Sequence, residues 1–482
     1  MELFEDMTEP SRNQENGLLD PNRLFPVENR ARGIAQMLFG EVEQLPIISP
    51  HGHTDPRWYA ENKAFGNATD LIVKPDHYLL RMLVSQGISL DDLGIPRNGV
   101  APNIDPRQVW QLFAEQYYLF RGTPSRMWLD HTFSTLFGLD VPLGADTADQ
   151  YYETINEHLA LPEFLPRALF ERFNIEVIAT TESALDNLEY HDAILASDWN
   201  HRVVTTYRPD SVIDPDFEGF AENVRKFGEL TSSDTTSYSG YLDAHRIRRQ
   251  YFRKRGATAT DHGHPTSRTA ALPDRDASAL FESVIAGKHT EAEAEMFRAQ
   301  MLTEMARMSV EDGLVMQIHP GSRRNHSDEI MKHYGRDKGF DIPSQTNYVD
   351  ALKPLLDEVG LEPNLTLILF TLDETAYSRE LAPLAGAYPC LRLGPAWWFY
   401  DSPEGMMRYR QLVTETAGFY NTVGFNDDTR AFCSIPARHD MARRVDCAFL
   451  ADTVARGMLR EAEAVELAHD LAYGLAKKAY RL

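Results

Sequence analysis

Cysteine is scarce in this chain. Three of the 482 residues are cysteine, namely Cys390, Cys433 and Cys447, and no two of them have the close spacing of a CxxC motif. An odd number of widely spaced cysteines indicates neither a disulfide framework nor a thiolate zinc site. We therefore expect a protein from a reducing compartment.

Long apolar runs are absent as well. No stretch approaches the roughly 20 apolar residues that a helix needs to cross a bilayer. The N-terminal sequence, MELFEDMTEPSRNQENG, is acidic and polar, and it lacks the basic region and apolar run of a signal peptide. The expected location is therefore the cytoplasm.

Positive charge is in deficit. Lysine and arginine number 48 against 72 aspartates and glutamates, which gives a net charge of −24 and a pI near 5.1. A surface of this charge repels nucleic acid and anionic lipid, so neither is an expected partner. A small anionic substrate requires arginine and histidine to be gathered in one pocket. The sequence leaves the oligomeric state open, with a homo-oligomer as one outcome.

Apolar residues are plentiful enough for a large core, at 43% of the chain against 25% charged residues. Short apolar runs alternate with helical patterns, which is typical of repeated βα units and a parallel sheet. The eight runs are QLPIIS (44–49), IEVIATT (175–181), RVVTTY (202–207), ATATD (257–261), LVMQIH (314–319), LTLILF (365–370), CLRLGPA (390–396) and TVGFND (422–427). This pattern predicts an α/β fold, a (β/α)8 barrel of the TIM type. An open doubly wound sheet is the alternative if one or two runs are not strands.

The spacing of the runs also predicts the organisation of the chain. More than a hundred residues with amphipathic helical patterns separate the first two runs. Because the loops after barrel strands surround the catalytic mouth, such an insertion could cover the site or reach into it. The predicted segments are an N-terminal helical segment (1–43), the first strand with its histidine motif (44–56), a helical insertion (57–165), the rest of the barrel (166–440) and C-terminal helices (441–482).

Most of the runs end in polar side chains or tryptophans, where catalytic groups lie in this architecture. In chain order these are His51 and His53; Thr181 and Glu182; Arg208; Asp261, His262 and His264; His319; Thr371 and Asp373; Trp397 and Trp398; and Asp427, Asp428 and Arg430.

His51 and His53 form the first candidate metal motif. Residues two apart in an extended segment point to the same side, so both imidazoles can reach one ion. Asp428, from the last run, is the natural third donor, and this set leaves positions open for water or substrate, as in catalytic sites. We expect one divalent metal, with zinc as the first candidate. The alternative is that both histidines cap the strand by hydrogen bonding, which is also our interpretation of the second pair, His262 and His264.

Several motifs in order make a more specific pattern than any one alone. They are His51-Gly52-His53, Asp76-His77-Tyr78, TTES followed by LDNLEYH, Tyr207-Arg208-Pro209-Asp210, QIHPGSRRN, GPAWWFYD, DDTRAF and ARHDMARR. In this arrangement the chain resembles the uronate isomerases, also called glucuronate isomerases, of the amidohydrolase superfamily. The resemblance spans most of the chain, although Asp427 stands where the family usually has threonine.

The resemblance implies interconversion of D-glucuronate with D-fructuronate and of D-galacturonate with D-tagaturonate, which begins hexuronate breakdown. This chemistry moves a proton from C2 to C1 through an enediol, so it needs a base, groups that stabilise the enediolate and cations for the carboxylate. We expect Asp428 to transfer the proton and Arg430 to stabilise the oxyanion. Arg208 is the expected partner of the carboxylate, although it could also contact the enediol oxygens.

Further roles rest on the resemblance. His77 and Tyr78 are candidates for ring opening or for contact with the reacting hydroxyls; apart from the resemblance, Asp76 before them predicts a capped helix N-terminus. Asp261 could bind a hydroxyl or orient a ligand histidine. The remaining candidates for substrate contact are His319, which could equally be a buried core histidine, and Trp398, which could stack on the sugar.

Two rival functions stay open from the residues. A hydrolase of the same superfamily would activate a metal-bound water, although no lysine follows the fourth run to bridge two metals. A sugar-acid binding protein without turnover is the other rival, since barrels host many functions. The presence of Asp428 beside the proposed metal favours catalysis.

Overall fold

The computed structural model describes residues 17–199 and 202–482. The predicted N-terminal segment (1–43) therefore lies partly outside the described residues. The division into five segments stays a prediction, whereas the helices and strands themselves are given below.

The main sheet has seven parallel strands in the order β1-β2-β3-β4-β5-β8-β9. The strands are β1 (Ile47–Ser49), β2 (Ile175–Ser183), β3 (Arg202–Arg208), β4 (Ala259–His262), β5 (Val315–Ile318), β8 (Leu367–Leu369) and β9 (Leu391–Leu393). Each lies within or largely overlaps one of the predicted runs. Neighbours in the sheet follow chain order without a reversal, so the doubly wound alternative, which requires a switch point, is wrong.

The eighth run occupies the last position of the ring without forming a regular strand. Thr422 makes a single parallel bridge to Leu393, and the Val423 amide donates to the Leu393 carbonyl at 3.1 Å. On the far side, the His53 amide donates to the Thr429 carbonyl at 3.0 Å. The predicted (β/α)8 barrel is confirmed, and this last bond joins the ends of the first and eighth positions at its mouth.

The interior of the barrel is apolar at its centre and closed by a tyrosine. Small and β-branched residues fill it, as expected for parallel strands covered on both faces: Ile48, Val177, Ala179, Val204, Ala259, Val315, Ile368 and Val423 are all buried. The fully buried Tyr480 ring joins them, and its hydroxyl donates to Gln317 at 2.9 Å and accepts from Asn426 at 2.7 Å. Residues near the end of the sequence therefore form part of the barrel core.

Helices fill the segment between β1 and β2. They are α2 (Pro56–Glu61), α3 (His77–Val84), α4 (Pro106–Glu115), α5 (Pro124–Phe137), α6 (Ala148–Leu159) and α7 (Pro166–Arg172). Buried aromatic side chains give this segment its own core, among them Trp110, Phe113, Tyr117, Phe133 and Tyr151. Because that core is continuous with Ile175 and Ile178 of β2, the inserted helices are fixed to the barrel wall.

The barrel helices follow their strands. They are α8 (Glu189–Leu195), α9 (Asp210–Ile213), α10 (Phe220–Thr231), α11 (Tyr238–Arg253), α12 (Asp274–Ile285), α13 (Glu291–Asp312), α15 (Val349–Val359), α16 (Ala382–Ala387) and α17 (Pro403–Ala417). The C-terminal helices are α18 (Ile435–Ala455), α19 (Glu461–His469) and α20 (Leu475–Ala479), and α1 (Asn29–Val42) packs on them. No helix among the described residues combines the length and the apolar character required for a membrane span.

A short arm extends over the mouth after β5. We define the arm as residues 322–343, which comprise β6 (Ser322–Arg323), α14 (Asp328–Tyr334) and β7 (Ile342–Pro343), with β6 and β7 paired antiparallel. The arm brings Arg324, Arg336 and Asp337 to the cavity described next.

Candidate active site

A cavity of about 360 Å³ lies at the carboxyl ends of the strands. Small-molecule sites are typically clefts of about 300 to 1,000 Å³. Every site residue predicted from the sequence lines this cavity: His51, His53, His77, Tyr78, Arg208, Asp261, His319, Trp398, Asp428 and Arg430. Residues far apart in the chain are therefore brought together as the barrel prediction required.

The predicted histidine and aspartate group is present at the mouth. His51 Nε2 and His53 Nε2 lie 3.5 Å and 3.2 Å from the same oxygen, Asp428 Oδ1. Both histidines follow β1 at positions two apart, and the bond between His53 and Thr429 holds the neighbouring loops in register. These three side chains form a group with the geometry to hold a metal ion.

Asp428 is constrained on both sides and along its backbone. Its φ of 37° lies in the left-handed region, which is uncommon for a residue other than glycine and typically costs about 1–3 kcal/mol. Its second oxygen, Oδ2, accepts a hydrogen bond from Trp397 Nε1 at 2.7 Å. The sequence analysis gave Trp397 no specific role and did not predict this contact.

Burial and nearby charges set the protonation of this group. Burial lowers the pKa of His53, which keeps its ring neutral and able to ligate a metal. Burial raises the pKa of Asp428, but the imidazoles of His51 and His53 outweigh burial and hold that pKa below its ordinary value. The carboxyl is therefore ionised at neutral pH.

His319 and Asp261 form a buried pair beside the metal group. His319 Nδ1 lies 2.7 Å from Asp261 Oδ1, and the His319 ring stacks on His51 at 4.7 Å and on Phe370 at 3.9 Å between centroids. Burial lowers the pKa of His319 although Asp261 raises it, so the neutral ring donates from Nδ1 and its Nε2 lone pair has no hydrogen-bond partner among residues 17–199 and 202–482. His51, Asp261 and His319 also make a second group within metal-ligating distance.

Arg208 is held by two carboxylates. Its Nε donates to Asp210 at 2.8 Å and its Nη1 lies 3.0 Å from Asp261. Burial lowers the pKa of Arg208, but Asp261 and Asp210 raise it more, so it stays above its ordinary value. The guanidinium is thus fixed in position and charged.

His77 and Tyr78 enter the cavity from the inserted helices. They begin α3, and the Asp76 carboxylate caps that helix by accepting from the amides of Tyr78 at 2.8 Å and Leu79 at 3.3 Å. The capped first turn of α3 thus places both side chains in the cavity wall. Burial and the nearby Arg430 lower the pKa of His77 to about 3, so its ring is neutral at physiological pH.

The arm adds groups that sequence reasoning missed. Arg430 Nη2 lies 2.9 Å from Asp337, while Arg324 and Arg336 line the same wall. Trp398 lies at a φ of 52°, with its ring 5.5 Å from that of His77 and 5.8 Å from the Arg324 guanidinium. Arg323 and Arg324 stand in the QIHPGSRRN motif after β5, which was the signal available in the sequence.

A buried layer supports the ends of the eighth run and of β9. His439 Nε2 lies 3.0 Å from Asp427 Oδ2, and Arg438 donates to Asp401 at 2.6 Å. Burial raises the pKa of Asp401 to about 7, although Arg438 lowers it. The ARHDMARR motif on α18 therefore supports the site from behind.

The second histidine pair lies outside the barrel lumen, behind the cavity wall. His262 Nε2 lies 3.1 Å from Thr260 Oγ1, a side chain of the same strand. His264, by contrast, is buried without a hydrogen-bond partner for either ring nitrogen among the described residues. Both rings approach Asp210.

Comparison with known proteins gives concordant matches. Residues 27–480 match the glucuronate isomerase family. The chain is 63% identical to a uronate isomerase of Rhizobium meliloti, over 97% of this chain and 100% of that protein. A crystal structure of glucuronate isomerase from Caulobacter crescentus has a TM-score of 0.95 and 58% identity, covering 96% of this chain and 97% of the other. The uronate isomerase structure from Thermotoga maritima has a TM-score of 0.89 and 28% identity, with coverage of 96% and 99%.

Proposed function

The chain belongs to the glucuronate isomerase family, and from this membership we propose how its cavity carries out the reaction. The activity is that of a uronate isomerase, an aldose–ketose isomerase, because the family match and the 63% identity both span nearly the whole chain. The reactions we propose are D-glucuronate with D-fructuronate and D-galacturonate with D-tagaturonate.

The observation that carries the mechanism is the convergence of two imidazoles, one ionised carboxylate and several arginines on one cavity. The whole molecule has a net charge of −24, yet Arg208, Arg324, Arg336 and Arg430 all face this space. A concentration of guanidinium groups against an acidic background is what recognition of a small carboxylate requires.

The donor set fits one divalent metal ion. Zinc binds imidazole nitrogen at about 2.0–2.1 Å, so two ligands on one tetrahedral ion lie about 3.4 Å apart. The 3.5 Å and 3.2 Å separations of the two Nε2 atoms from Asp428 Oδ1 match that spacing. We propose His51, His53 and Asp428 as the ligands and zinc as the metal, which when bound would polarise oxygen atoms of the substrate.

Asp428 is the proposed proton carrier. In the open-chain substrate it takes the proton from C2, the C1–C2 double bond of the enediolate forms, and the carbonyl π electrons move to oxygen. The proton of the C2 hydroxyl passes to the C1 oxygen, Asp428 returns the first proton to C1, and the electrons of the C1–C2 double bond and of the released O–H bond leave a carbonyl at C2. The indole of Trp397 fixes one carboxylate oxygen and thereby the direction of the other.

Arginine and histidine complete the proposed roles. Arg430 stabilises the enediolate by charge, since it follows Asp428 by two residues and its guanidinium faces the cavity. Arg208, rigidly held by Asp210 and Asp261, binds the substrate carboxylate with the donors that these acids leave free. The unpartnered Nε2 of His319 accepts from a substrate hydroxyl, with Asp261 setting its tautomer.

The other residues of the cavity wall are proposed to contact the sugar ring. His77 is neutral and can take the proton of the anomeric hydroxyl and pass it to the ring oxygen as the bond between C1 and that oxygen breaks. Tyr78 lies beside it at 4.6 Å between ring centroids. Trp398 is proposed to stack on the apolar face of the sugar.

The location and assembly of the enzyme are also proposals. We propose a cytoplasmic enzyme, which is supported by three buried cysteines that form no disulfide. An assembly of several copies stays a prediction.

A coupled assay that follows keto-uronate formation tests the proposed function. Purified protein with zinc should convert both D-glucuronate and D-galacturonate. A hydrolase or a binding protein would form no keto-uronate, so absence of product from either substrate with a fully metal-loaded, folded protein would overturn the proposal.

A further inference from the structure

The second histidine pair combines three ligand-type side chains in one place. An oxygen of Asp210, a ring nitrogen of His262 and a ring nitrogen of His264 all lie within 4.8 Å of one another. The three lie beyond the ends of two neighbouring strands, since Asp210 begins α9 after β3, His262 is the last residue of β4 and His264 follows it. Backbone geometry ties the loops together, because the Gly263 amide donates to both oxygens of Asp210 at 3.2 Å.

Three of the four ring nitrogens have no hydrogen-bond partner among the described residues, whereas His262 Nε2 lies 3.1 Å from Thr260 Oγ1. His262 is fully buried and its Nδ1 has no hydrogen-bond partner, and His264 is only 4% exposed with neither ring nitrogen bonded. Burying an imidazole without partners is costly, whereas a ligand in the middle would satisfy both rings together.

The chemistry of the donors selects the ligand. Each ring has at least one nitrogen without a hydrogen-bond partner among the described residues, so each can offer a nitrogen to a ligand. Two imidazoles and one carboxylate form a donor set preferred by zinc and similar borderline metals, rather than by magnesium or calcium. Asp214 and Glu295 add negative charge near His264, partly offset by Arg298.

We propose that Asp210, His262 and His264 form a second site for a zinc-like divalent cation, separate from the group at His51, His53 and Asp428. The three ligands must close by about 1 Å to meet on one ion with bonds of about 2.1 Å. Side-chain rotation of His264, which no hydrogen bond restrains, supplies this movement. Asp210 also lines the main cavity, which gives the ion a path of entry.

Occupation of this site would act on the substrate pocket through Arg208. The Arg208 guanidinium donates to Asp210 at 2.8 Å, so an ion on Asp210 competes for that carboxylate and repels the guanidinium. If Arg208 binds the substrate carboxylate, a step that rests on the proposed function, excess metal raises the KM for uronate. The second site would then make the enzyme sensitive to free zinc.

Metal counting tests the site without reference to activity. Chelator-treated full-length protein is titrated with Zn²⁺ against a chromogenic chelator, and with Co²⁺ while its visible absorption is followed. We expect two equivalents in the wild type and one in His264→Gln, while His469→Gln, which removes an exposed histidine from α19, keeps two. His51→Ala should lose the other equivalent.

Two results would overturn the proposal: a single equivalent in the wild type, or two equivalents of unchanged affinity in His264→Gln. If that variant does not fold, as judged by circular dichroism, Asp210→Asn replaces it and should also bind one equivalent. Kinetics at excess Zn²⁺ separate this inference from the proposed function. Two bound ions with an unchanged KM support the site and contradict only the role given to Arg208.

Discussion

Asp428 shows how several weak constraints fix one side chain. A left-handed backbone, two imidazoles at one oxygen and an indole at the other leave its carboxyl little freedom. Such positioning is useful for a group that must remove a proton from one carbon and deliver it to the next. Rotation of a free carboxylate would otherwise cost entropy in each transfer.

Asp428→Asn tests the proton carrier. We expect kcat for D-glucuronate to fall on the order of 10³-fold, because general base catalysis contributes about 10²- to 10⁴-fold. The coupled assay measures the rate, and circular dichroism and metal content are recorded alongside. Asp357→Asn, at an exposed aspartate on α15, is the control and should keep wild-type activity; a near-normal rate in Asp428→Asn would remove the base assignment.

The variant Trp397→Phe tests the hydrogen bond from the indole to Asp428 separately from the packing of the aromatic ring. The ring is retained but the N–H donor to Asp428 is lost, and hydrogen bonds to charged groups contribute about 1.5–3 kcal/mol. We therefore expect kcat to fall about 10- to 100-fold with little change in KM. The matched variant Trp398→Phe, which removes no bond to Asp428, should raise KM instead. If both variants behave alike, the indole bond has no catalytic role.

Among the elements, α3 has both a structural and a functional task at its first turn. Asp76 caps the helix, and the next two residues project into the cavity. A loss of the cap should therefore disturb stability and the site together, whereas a cap elsewhere in the inserted helices should disturb stability alone.

Asp76→Ala and Asp105→Ala make this comparison. Asp105 caps α4 by accepting from the Arg107 amide at 2.9 Å and does not line the cavity. Each variant should lose about 1 kcal/mol of unfolding free energy, measured by urea denaturation. Only Asp76→Ala should lose activity, by about tenfold or more, and equal activity in the two variants would contradict a role for His77 and Tyr78.

The sequence predicted which segments form the ring better than it predicted their backbone pairing and their tertiary contacts. All eight apolar runs occupy positions in the ring, because burial on both faces leaves a clear apolar pattern in parallel strands. The run at 422–427 does not form a regular strand, since only Thr422 makes a β-bridge to the neighbouring strand. An apolar pattern in a sequence indicates burial, but it does not indicate which backbone groups are hydrogen-bonded. The metal group was predictable because HxH spacing and strand ends are local signals. The contact from Trp397 and the arm residues Arg336 and Asp337 depend on tertiary packing, which the sequence pattern does not encode.

On the scale of the molecule, the barrel buries ionisable groups that respond to pH. Glu182, near the end of β2, is 8% exposed and hydrogen-bonded by Thr205. Burial raises its pKa to about 8, although Thr205 and Thr180 lower it. The folded state therefore holds a proton that the unfolded state releases above its ordinary pKa of 4.5.

Glu182→Gln should flatten the pH dependence of stability. Between about pH 4.5 and 8 the native state binds more protons than the unfolded state, so wild-type stability falls as pH rises. The variant has no such carboxyl and does not lose stability in this way. Its unfolding free energy should therefore exceed that of the wild type by an amount that grows between pH 5.5 and 8.5. The ceiling is about 5 kcal/mol, at about 1.4 kcal/mol per pKa unit. Urea denaturation gives the unfolding free energy of both proteins at each pH. If the two free energies changed in parallel with pH, this carboxyl would be ionised throughout the range and the prediction would be wrong.

Metal removal should affect the whole molecule as well as turnover. A ligand present at 100 times its Kd stabilises the folded state by about 2.7 kcal/mol, so chelation should lower Tm by several degrees and abolish keto-uronate formation. Added zinc should restore both quantities more fully than magnesium. In His51→Ala, chelation should not lower the activity further and added zinc should not restore it. A wild-type enzyme that keeps full activity after complete metal removal would contradict the proposed zinc.

Tyr480 has a consequence for biosynthesis. Its ring belongs to the barrel core, and its hydroxyl joins Gln317 to Asn426. A ribosome presents β1 long before residue 480, so the barrel core of a nascent chain stays incomplete until residue 480 has emerged. Until then a growing chain would expose apolar strand surface, and such surface is prone to aggregation.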